Sequence, residues 1–366
     1  MRKVDDKYGT ESMPKVTRAA VLEELGKALA IKEVELPELL PGQVLVKVLF
    51  SGVCRSQVME VRGGRGSDPW LPHLLGHEGS GIVVAVGDGV TKVKRGDEVI
   101  LGWIKGEGLD APGAKYKCGE QIINSGRVTT FSNYSVVSES RVVKKPAGLP
   151  FDTAILFGCA LPTGAGMVLN ELKPSSDSSV VVLGLGGIGL SALIALKAIG
   201  VRMIIAIDIS EEKLELAKRL GATHVFNSIS EGFRQAVLDL TQGGADICVE
   251  SGGQVSTIEL GFSLIRKGGG KLLFASHPSE GEMIRLPPHE LISGKQIAGS
   301  WGGATSPDRV IPGMFELFRG ANIPLESLLT KRYSLEQINE AIDDLEGGRV
   351  FRPLIVMQHP DETFES

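Results

Sequence analysis

Val180-Val181-Val182-Leu183-Gly184-Leu185-Gly186-Gly187-Ile188-Gly189-Leu190-Ser191-Ala192-Leu193-Ile194-Ala195-Leu196 changes character twice within one stretch. Four apolar residues read as a buried strand, a glycine-rich turn follows, and the rest reads as a helix through Ile199. By length alone the apolar run to Val201 could cross a membrane. Its five glycines and Lys197 favour strand, turn and helix instead. Gly184, Gly186 and Gly189 have the spacing that lets backbone N–H groups approach a pyrophosphate at a helix N-terminus, with Gly187 and Ile188 between them. Asp208 closes the next apolar segment, where a carboxylate accepts the two hydroxyls of an adenosine ribose. A 2′-phosphate there would meet that charge and those of Glu211 and Glu212, so NAD is expected over NADP.

Upstream of the turn stand three soft ligands. Cys54 lies in Gly52-Val53-Cys54-Arg55-Ser56, His77 in Gly76-His77-Glu78-Gly79-Ser80-Gly81, and Cys159 in Gly158-Cys159-Ala160-Leu161-Pro162-Thr163-Gly164. Two thiolates and an imidazole suit Zn²⁺, and three protein ligands leave a fourth position open, as catalytic sites do. Taken singly, each cysteine reads equally as a small buried hydrophobe.

From Thr17 to Lys145 short strands alternate with glycine turns, which predicts a compact, mostly β domain. From Val180 apolar strands alternate with helical stretches, which predicts a parallel sheet covered by helices. The fold class is therefore α/β. A net charge of −5 without a basic stripe speaks against nucleic acid. Cys54, Cys118, Cys159 and Cys248 lack the spacing of a disulfide framework, which fits a reducing compartment. Met1–Lys7 is charged and lacks an apolar core, so it reads as a polar extension rather than a secretory signal. A cytoplasmic protein with no membrane partner is expected.

In this order, the cysteine, the Gly-His-Glu-Gly run, the Gly-Cys-x-x-x-Thr-Gly run and the glycine fingerprint resemble the zinc-dependent medium-chain alcohol dehydrogenases, from about Lys15 to Met357. The resemblance implies a GroES-like catalytic domain over residues 1–161 and 301–366, with a Rossmann NAD-binding domain over 162–300. It implies hydride transfer between an alcohol or polyol and NAD, and a homodimer or homotetramer. By the same resemblance Cys54, His77 and Cys159 hold the catalytic zinc, and Glu78 lies beneath the metal or pairs with Arg352. Ser56 takes the alcohol proton and Thr163 flanks the nicotinamide. Arg55 and Arg352 grip the pyrophosphate, and Lys213 contacts the ribose or is an ordinary helix lysine. Met59, Trp70, Trp103 and Phe131 line the substrate pocket or serve as core and loop anchors. Arg62 and Arg65 recognise a polar substrate or are solvated loop residues.

Three departures stand out. Gln57 occupies the position of an aspartate that hydrogen-bonds the ligating histidine in many relatives, and its amide oxygen is expected to accept from His77 more weakly. Met59 replaces a proton-relaying histidine. Between Gly106 and Gly113 no cysteine occurs, and Cys118 alone cannot build a Cys₄ site, so one catalytic zinc and no structural zinc are expected. Two other readings compete. One is a zinc-free NADPH-dependent quinone or enoyl reductase, and the other a non-catalytic nucleotide-binding relative.

Overall fold

The Gln43–Gly52 strand is buried on both faces, because its side chains alternate between two cores. Val44, Val46 and Val48 pack with Val83, Val99, Leu101, Val137 and Ile355, whereas Leu45 joins Val21, Leu74, Tyr116, Ile123 and Val136. A computed structural model describes residues 13–359, and the polar extension Met1–Lys7 lies outside the described residues. Gln43–Gly52 pairs antiparallel with Glu78–Val86, Tyr134–Ser138 and Pro353–Val356. The wider sheet runs Val142–Lys144, Glu98–Gly102, Glu78–Val86, Gln43–Gly52, Pro353–Val356, Lys331–Ser334. Five further strands, Val16–Leu22, Ala30–Glu35, Lys115–Cys118, Gln121–Asn124 and His73–Leu74, close a small barrel. This mostly β unit takes in the chain up to Gly63, Ser67–Gly158 and the chain from Lys331 on.

The second unit, Gly64–Gly66 and Cys159–Thr330, is built on a six-stranded sheet. Its order is His224–Asn227, Met203–Asp208, Ser179–Leu183, Ile247–Glu250, Lys271–Phe274, Gln296–Gly299, and every pairing is parallel. Counted along this sheet the order is 3-2-1-4-5-6, that of the doubly wound dinucleotide fold. Its switch point lies between the ends of Ser179–Leu183 and Ile247–Glu250, where the glycine turn leaves the sheet. The α/β reading and both domain types are thus present.

The two compact units divide at another place than the border that the resemblance implies. The chain stays with the second unit until Thr330 rather than leaving it at 301. Thr305 donates its hydroxyl to the Pro162 carbonyl at 2.7 Å, and the Pro307–Gly320 helix packs on Ala160–Gly166 and Gly187–Ala198. Such long-range contacts leave no mark on local composition.

The segment without the cysteine lobe is held by a carboxylate. Buried Glu139 accepts the amides of Thr91, Lys92 and Leu109 at 2.8, 2.7 and 2.7 Å. Ser138 Oγ accepts the Ala111 amide at 3.0 Å, and Ser140 Oγ donates to Asp110 at 2.8 Å. Burial pushes the Glu139 pKa up, but the three amides outweigh it and hold the carboxyl below its usual range. Glu139→Gln should therefore lower stability by about 2–3 kcal/mol at pH 7, through lost charge-assisted bonds. Because the folded-state pKa is depressed, that difference should be full above about pH 5 and shrink as the pH falls below about 4.3. Urea unfolding of both proteins across that range checks the size and the sign.

Candidate metal centre and dinucleotide turn

Cys54, His77 and Cys159 converge, with one ligand atom from each within 4.8 Å of the other two. Cys54 precedes the Arg55–Val61 helix and Cys159 the Ala160–Gly166 helix, each as N-cap, where the helix N-terminus favours a thiolate. His77 and Cys159 each follow a glycine that close packing demands. A Cβ on Gly76, which has φ +88°, would lie 2.8 Å from the Phe131 amide nitrogen, and one on Gly158 would lie 2.9 Å from Glu78 Cα. Gly158, the last residue of the first unit, thereby seats Cys159 by direct chain continuity. Burial lowers the His77 pKa, and the neighbouring Cys54 sulfur together with Glu78 carries it above its usual value. The donor set, two sulfurs and one imidazole with no fourth protein ligand in the group, fits an open Zn²⁺ site.

Glu78 and Arg352 form a buried ion pair, Nη1 to Oε1 at 2.8 Å, and Nη1 also approaches the Val53 carbonyl at 3.4 Å. Burial drives the Glu78 pKa up and Arg352 opposes it. Oε2 of Glu78 is buried without a hydrogen-bond partner.

The glycine turn has the shape its spacing predicts. A Cβ on Gly184 would sit 2.7 Å from the Gly252 amide nitrogen, and one on Gly189 would sit 2.6 Å from Ser251 Oγ. A Cβ on Gly186 would meet nothing within 4 Å, so bare backbone faces an open cradle where the Gly187–Ala198 helix begins. Ile188 lies in its first turn. Asp208 ends its strand with Oδ2 on the Leu185 amide at 2.6 Å, Oδ1 on the Ser210 amide at 3.0 Å, and Lys213 Nζ 4.0 Å from Oδ1. The cradle and this carboxylate fit the pyrophosphate and ribose of a dinucleotide.

The alcohol dehydrogenase GroES-like domain family matches residues 40–147, and the zinc-binding dehydrogenase family matches 187–319. Alcohol dehydrogenase class-3 of Cereibacter sphaeroides is 32% identical over 93% of this chain and 99% of its own length. The benzyl alcohol dehydrogenase structure from Acinetobacter calcoaceticus superposes with a TM-score of 0.85 at 30% identity, covering 94% of this chain and all of that one. An alcohol dehydrogenase zinc-binding domain protein from Burkholderia ambifaria gives a TM-score of 0.87 at 28% identity, covering 94% and 99%. The chain belongs to the zinc-dependent medium-chain alcohol dehydrogenase family. As a member it is a zinc-dependent oxidoreductase of alcohols and carbonyls that works with a nicotinamide cofactor.

Several residues of this dehydrogenase sit differently from the sequence expectation. Gln57 Oε1 accepts the Gly76 amide, not the His77 ring, so it orients the ligand through the backbone. Arg352 Nη1 is engaged by Glu78, the pairing that the sequence offered as one role for that carboxylate. Arg62 pairs with Asp343 and Glu346 at 2.5 and 2.8 Å, which makes it a tie to the Ile338–Glu346 helix. Phe131 is 1% exposed and belongs to the core, packed on Gly76, while Trp70 is 69% exposed. Trp103 is half-buried, with its carbonyl accepting from Arg141. Arg55, Ser56 and Met59 lie on the Arg55–Val61 helix, Arg55 exposed and the other two half-buried. Thr163 is buried on the Ala160–Gly166 helix, and its hydroxyl has no hydrogen-bond partner among the described residues. Cys248 is buried in its strand, where desolvation holds the thiol well above its usual pKa.

Sequence reasoning overlooked Glu250. This buried carboxylate accepts the Gly252 and Gly253 amides at 2.7 and 3.1 Å and the Ser276 hydroxyl at 3.0 Å, shaping the turn at the switch point. Its only local signal is an acid at the end of an apolar strand.

The Glu78–Arg352 pair yields a further expectation. Arg352→Met leaves an uncompensated buried carboxylate and should lower stability by about 3–5 kcal/mol. Adding Glu78→Gln removes that charge and should restore much of the loss. A double-mutant cycle by urea unfolding measures the coupling.

Proposed function

We propose that the protein is an NAD-dependent alcohol dehydrogenase with one tightly held catalytic zinc on Cys54, His77 and Cys159. The observation that carries this reading is the convergence of those three donors in one group. A zinc-free reductase has no use for such a set, and a non-catalytic relative has no use for an open fourth position.

When bound, the zinc supplies Lewis acidity toward an alcohol oxygen and the nicotinamide supplies a hydride acceptor. The chain's own residues do the rest. Ser56, two positions from Cys54, takes up the alcohol proton at Oγ and passes it on, since Met59 has no group to carry one. Thr163 brings a buried hydroxyl with a free hydrogen-bonding capacity to orient the cofactor ring and exclude water. Asp208 accepts ribose hydroxyls and repels a 2′-phosphate, and Lys213 beside it contacts the same ribose. Arg55, exposed at the start of its helix, supplies a phosphate contact. Met59 and Trp103 contribute apolar surface to a substrate pocket, and the benzyl alcohol dehydrogenase relative favours an aromatic primary alcohol among the substrates to try.

Among the described residues no disulfide joins the four cysteines, which supports a cytoplasmic setting, and no single helix is long and apolar enough to cross a membrane. Exposed Met283, Leu291, Ile292 and Trp301 lie close in sequence to the edge strand Gln296–Gly299, an apolar surface that supports a homodimer or homotetramer.

Cys159→Ser should remove the chelator-resistant zinc and turnover, while NAD binding changes little, because serine is a poor zinc ligand at neutral pH. Metal analysis, benzyl alcohol oxidation and NAD titration on one preparation test this together, and full activity in a zinc-replete variant overturns the ligand assignment. NAD should bind about 10–100-fold more tightly than NADP, roughly 1.4–2.8 kcal/mol. Asp208→Ala should narrow that gap in the same titration. Ser56→Ala should lower turnover about 10²–10⁴-fold with zinc retained.

A further inference from the structure

Glu250 is fully buried at the end of the Ile247–Glu250 strand, and four donors converge on its carboxylate. Oε1 accepts the Gly252 and Gly253 amides at 2.7 and 3.1 Å and the Thr257 hydroxyl at 2.7 Å. Oε2 accepts the Ser276 hydroxyl at 3.0 Å. These donors come from three separate segments. Gly252 and Gly253 form the turn after the strand, and Thr257 lies in the first turn of the Val255–Leu264 helix. Ser276 lies in the loop after the neighbouring Lys271–Phe274 strand. Thr257 is itself fixed by the capping box it shares with Gln254. Successive backbone amides joined by hydroxyls make the kind of nest in which a loop cradles an anion. Here the chain's own buried carboxylate fills that nest, while Gly252 is exposed.

The place of this carboxylate in the sheet gives it a role. In the order 3-2-1-4-5-6 a dinucleotide spans two halves, one nucleotide over each. The glycine turn after Ser179–Leu183 and Asp208 at the end of Met203–Asp208 belong to the half that fits pyrophosphate and adenosine ribose. Ile247–Glu250 and Lys271–Phe274 are the matching strands of the other half, so the nicotinamide nucleotide falls to the loops that follow them. Glu250 ties those two loops together. Their turn is also joined to the first half, since the Ser251 amide donates to the Leu183 carbonyl at 2.8 Å and the Ser251 hydroxyl to the Gly184 carbonyl at 2.6 Å. We propose that Glu250 is a positioning residue for the nicotinamide half of the cofactor, acting through the backbone of 251–253 and the loop at Ser276 without touching the ligand. With their N–H groups turned to Glu250, Gly252 and Gly253 offer no nest to a phosphate, and the pyrophosphate is left to the Gly184–Gly189 turn. Loops ordered before the cofactor arrives spare it the entropy of ordering them, and that difference appears as affinity. The inference rests on the reading of this sheet as the seat of a nicotinamide dinucleotide.

The test compares NADH with ADP-ribose, which keeps the adenosine and pyrophosphate but has no nicotinamide, by calorimetric titration of the zinc-replete protein. Glu250→Leu removes the acceptor and should weaken NADH binding about 10–100-fold, the size of one or two lost charge-assisted hydrogen bonds. ADP-ribose affinity should change less than about 3-fold, because the adenosine half keeps its own contacts. Glu250→Gln keeps an acceptor oxygen for the two amides, and its amide nitrogen can donate to Ser276 Oγ, so it should recover most of the NADH affinity. Ser276→Ala cuts only the tie between the two loops and should weaken NADH about 3–10-fold, with ADP-ribose again unchanged. Should Glu250→Leu fail to fold, Ser276→Ala carries the test. Equal losses for NADH and ADP-ribose mark a general loosening of the unit and overturn the proposal, as does unchanged NADH affinity in these two variants. Failure of the NAD reading looks different, because the unsubstituted protein then binds NADPH more tightly than NADH. The same comparison is then made with NADPH and 2′-phospho-ADP-ribose.

Discussion

Glu78 and Arg352 face each other at 2.8 Å with their side chains 1% and 6% exposed, next in the chain to segments that carry candidate metal ligands. Glu78 directly follows His77 and begins the Glu78–Val86 strand. Arg352 directly precedes Pro353–Val356, whose partners Phe50, Ser51 and Gly52 run on toward Cys54. A charge buried this deeply is unfavourable by several kcal/mol unless its partner is in place. The pair therefore acts less as added stability than as a register lock. Only an arrangement that brings the C-terminal strand beside Gly52 avoids leaving one charge alone in the core. Gly52 itself must stay small, because an added Cβ would lie 2.8 Å from the Glu78 carboxyl carbon.

Legibility in the sequence follows the range of the interaction. The dinucleotide turn is a local device whose strand, glycines, helix and distal aspartate lie close along the chain, so spacing alone exposes it. The three candidate metal ligands are far apart in sequence and become legible only because each sits in its own glycine-marked run, read jointly through a family resemblance. Side-chain partners across long separations were not legible. Nothing near Arg62 announces Asp343 and Glu346, and nothing near Gln57 announces the Gly76 amide. The sequence left Phe131 open between pocket and core, because its neighbours do not reveal which way its ring turns. The extent of the second compact unit to Thr330 was hidden for the same reason, since the Thr305–Pro162 bond leaves no mark on the composition near 301.

Both units use helix N-termini where negative charge must be held, and magnitudes decide what that contributes. Cys54 and Cys159 are N-caps of short helices, and the glycine turn opens the Gly187–Ala198 helix. A charge at a helix end gains about 0.3–1 kcal/mol at an exposed site, less than the 1.36 kcal/mol of one pKa unit. A helix end alone is therefore too weak to ionise a thiol, and a bound Zn²⁺ would supply the larger stabilisation of a thiolate. At the glycine turn the same small field is joined by the backbone N–H groups that open the Gly187–Ala198 helix and by the space left beside Gly186. Charge-assisted hydrogen bonds at about 1.5–3 kcal/mol each outweigh the dipole there. The field is shared between the two sites, but in each a stronger and more local interaction makes the selection: thiolate and imidazole chemistry at one, backbone N–H geometry at the other.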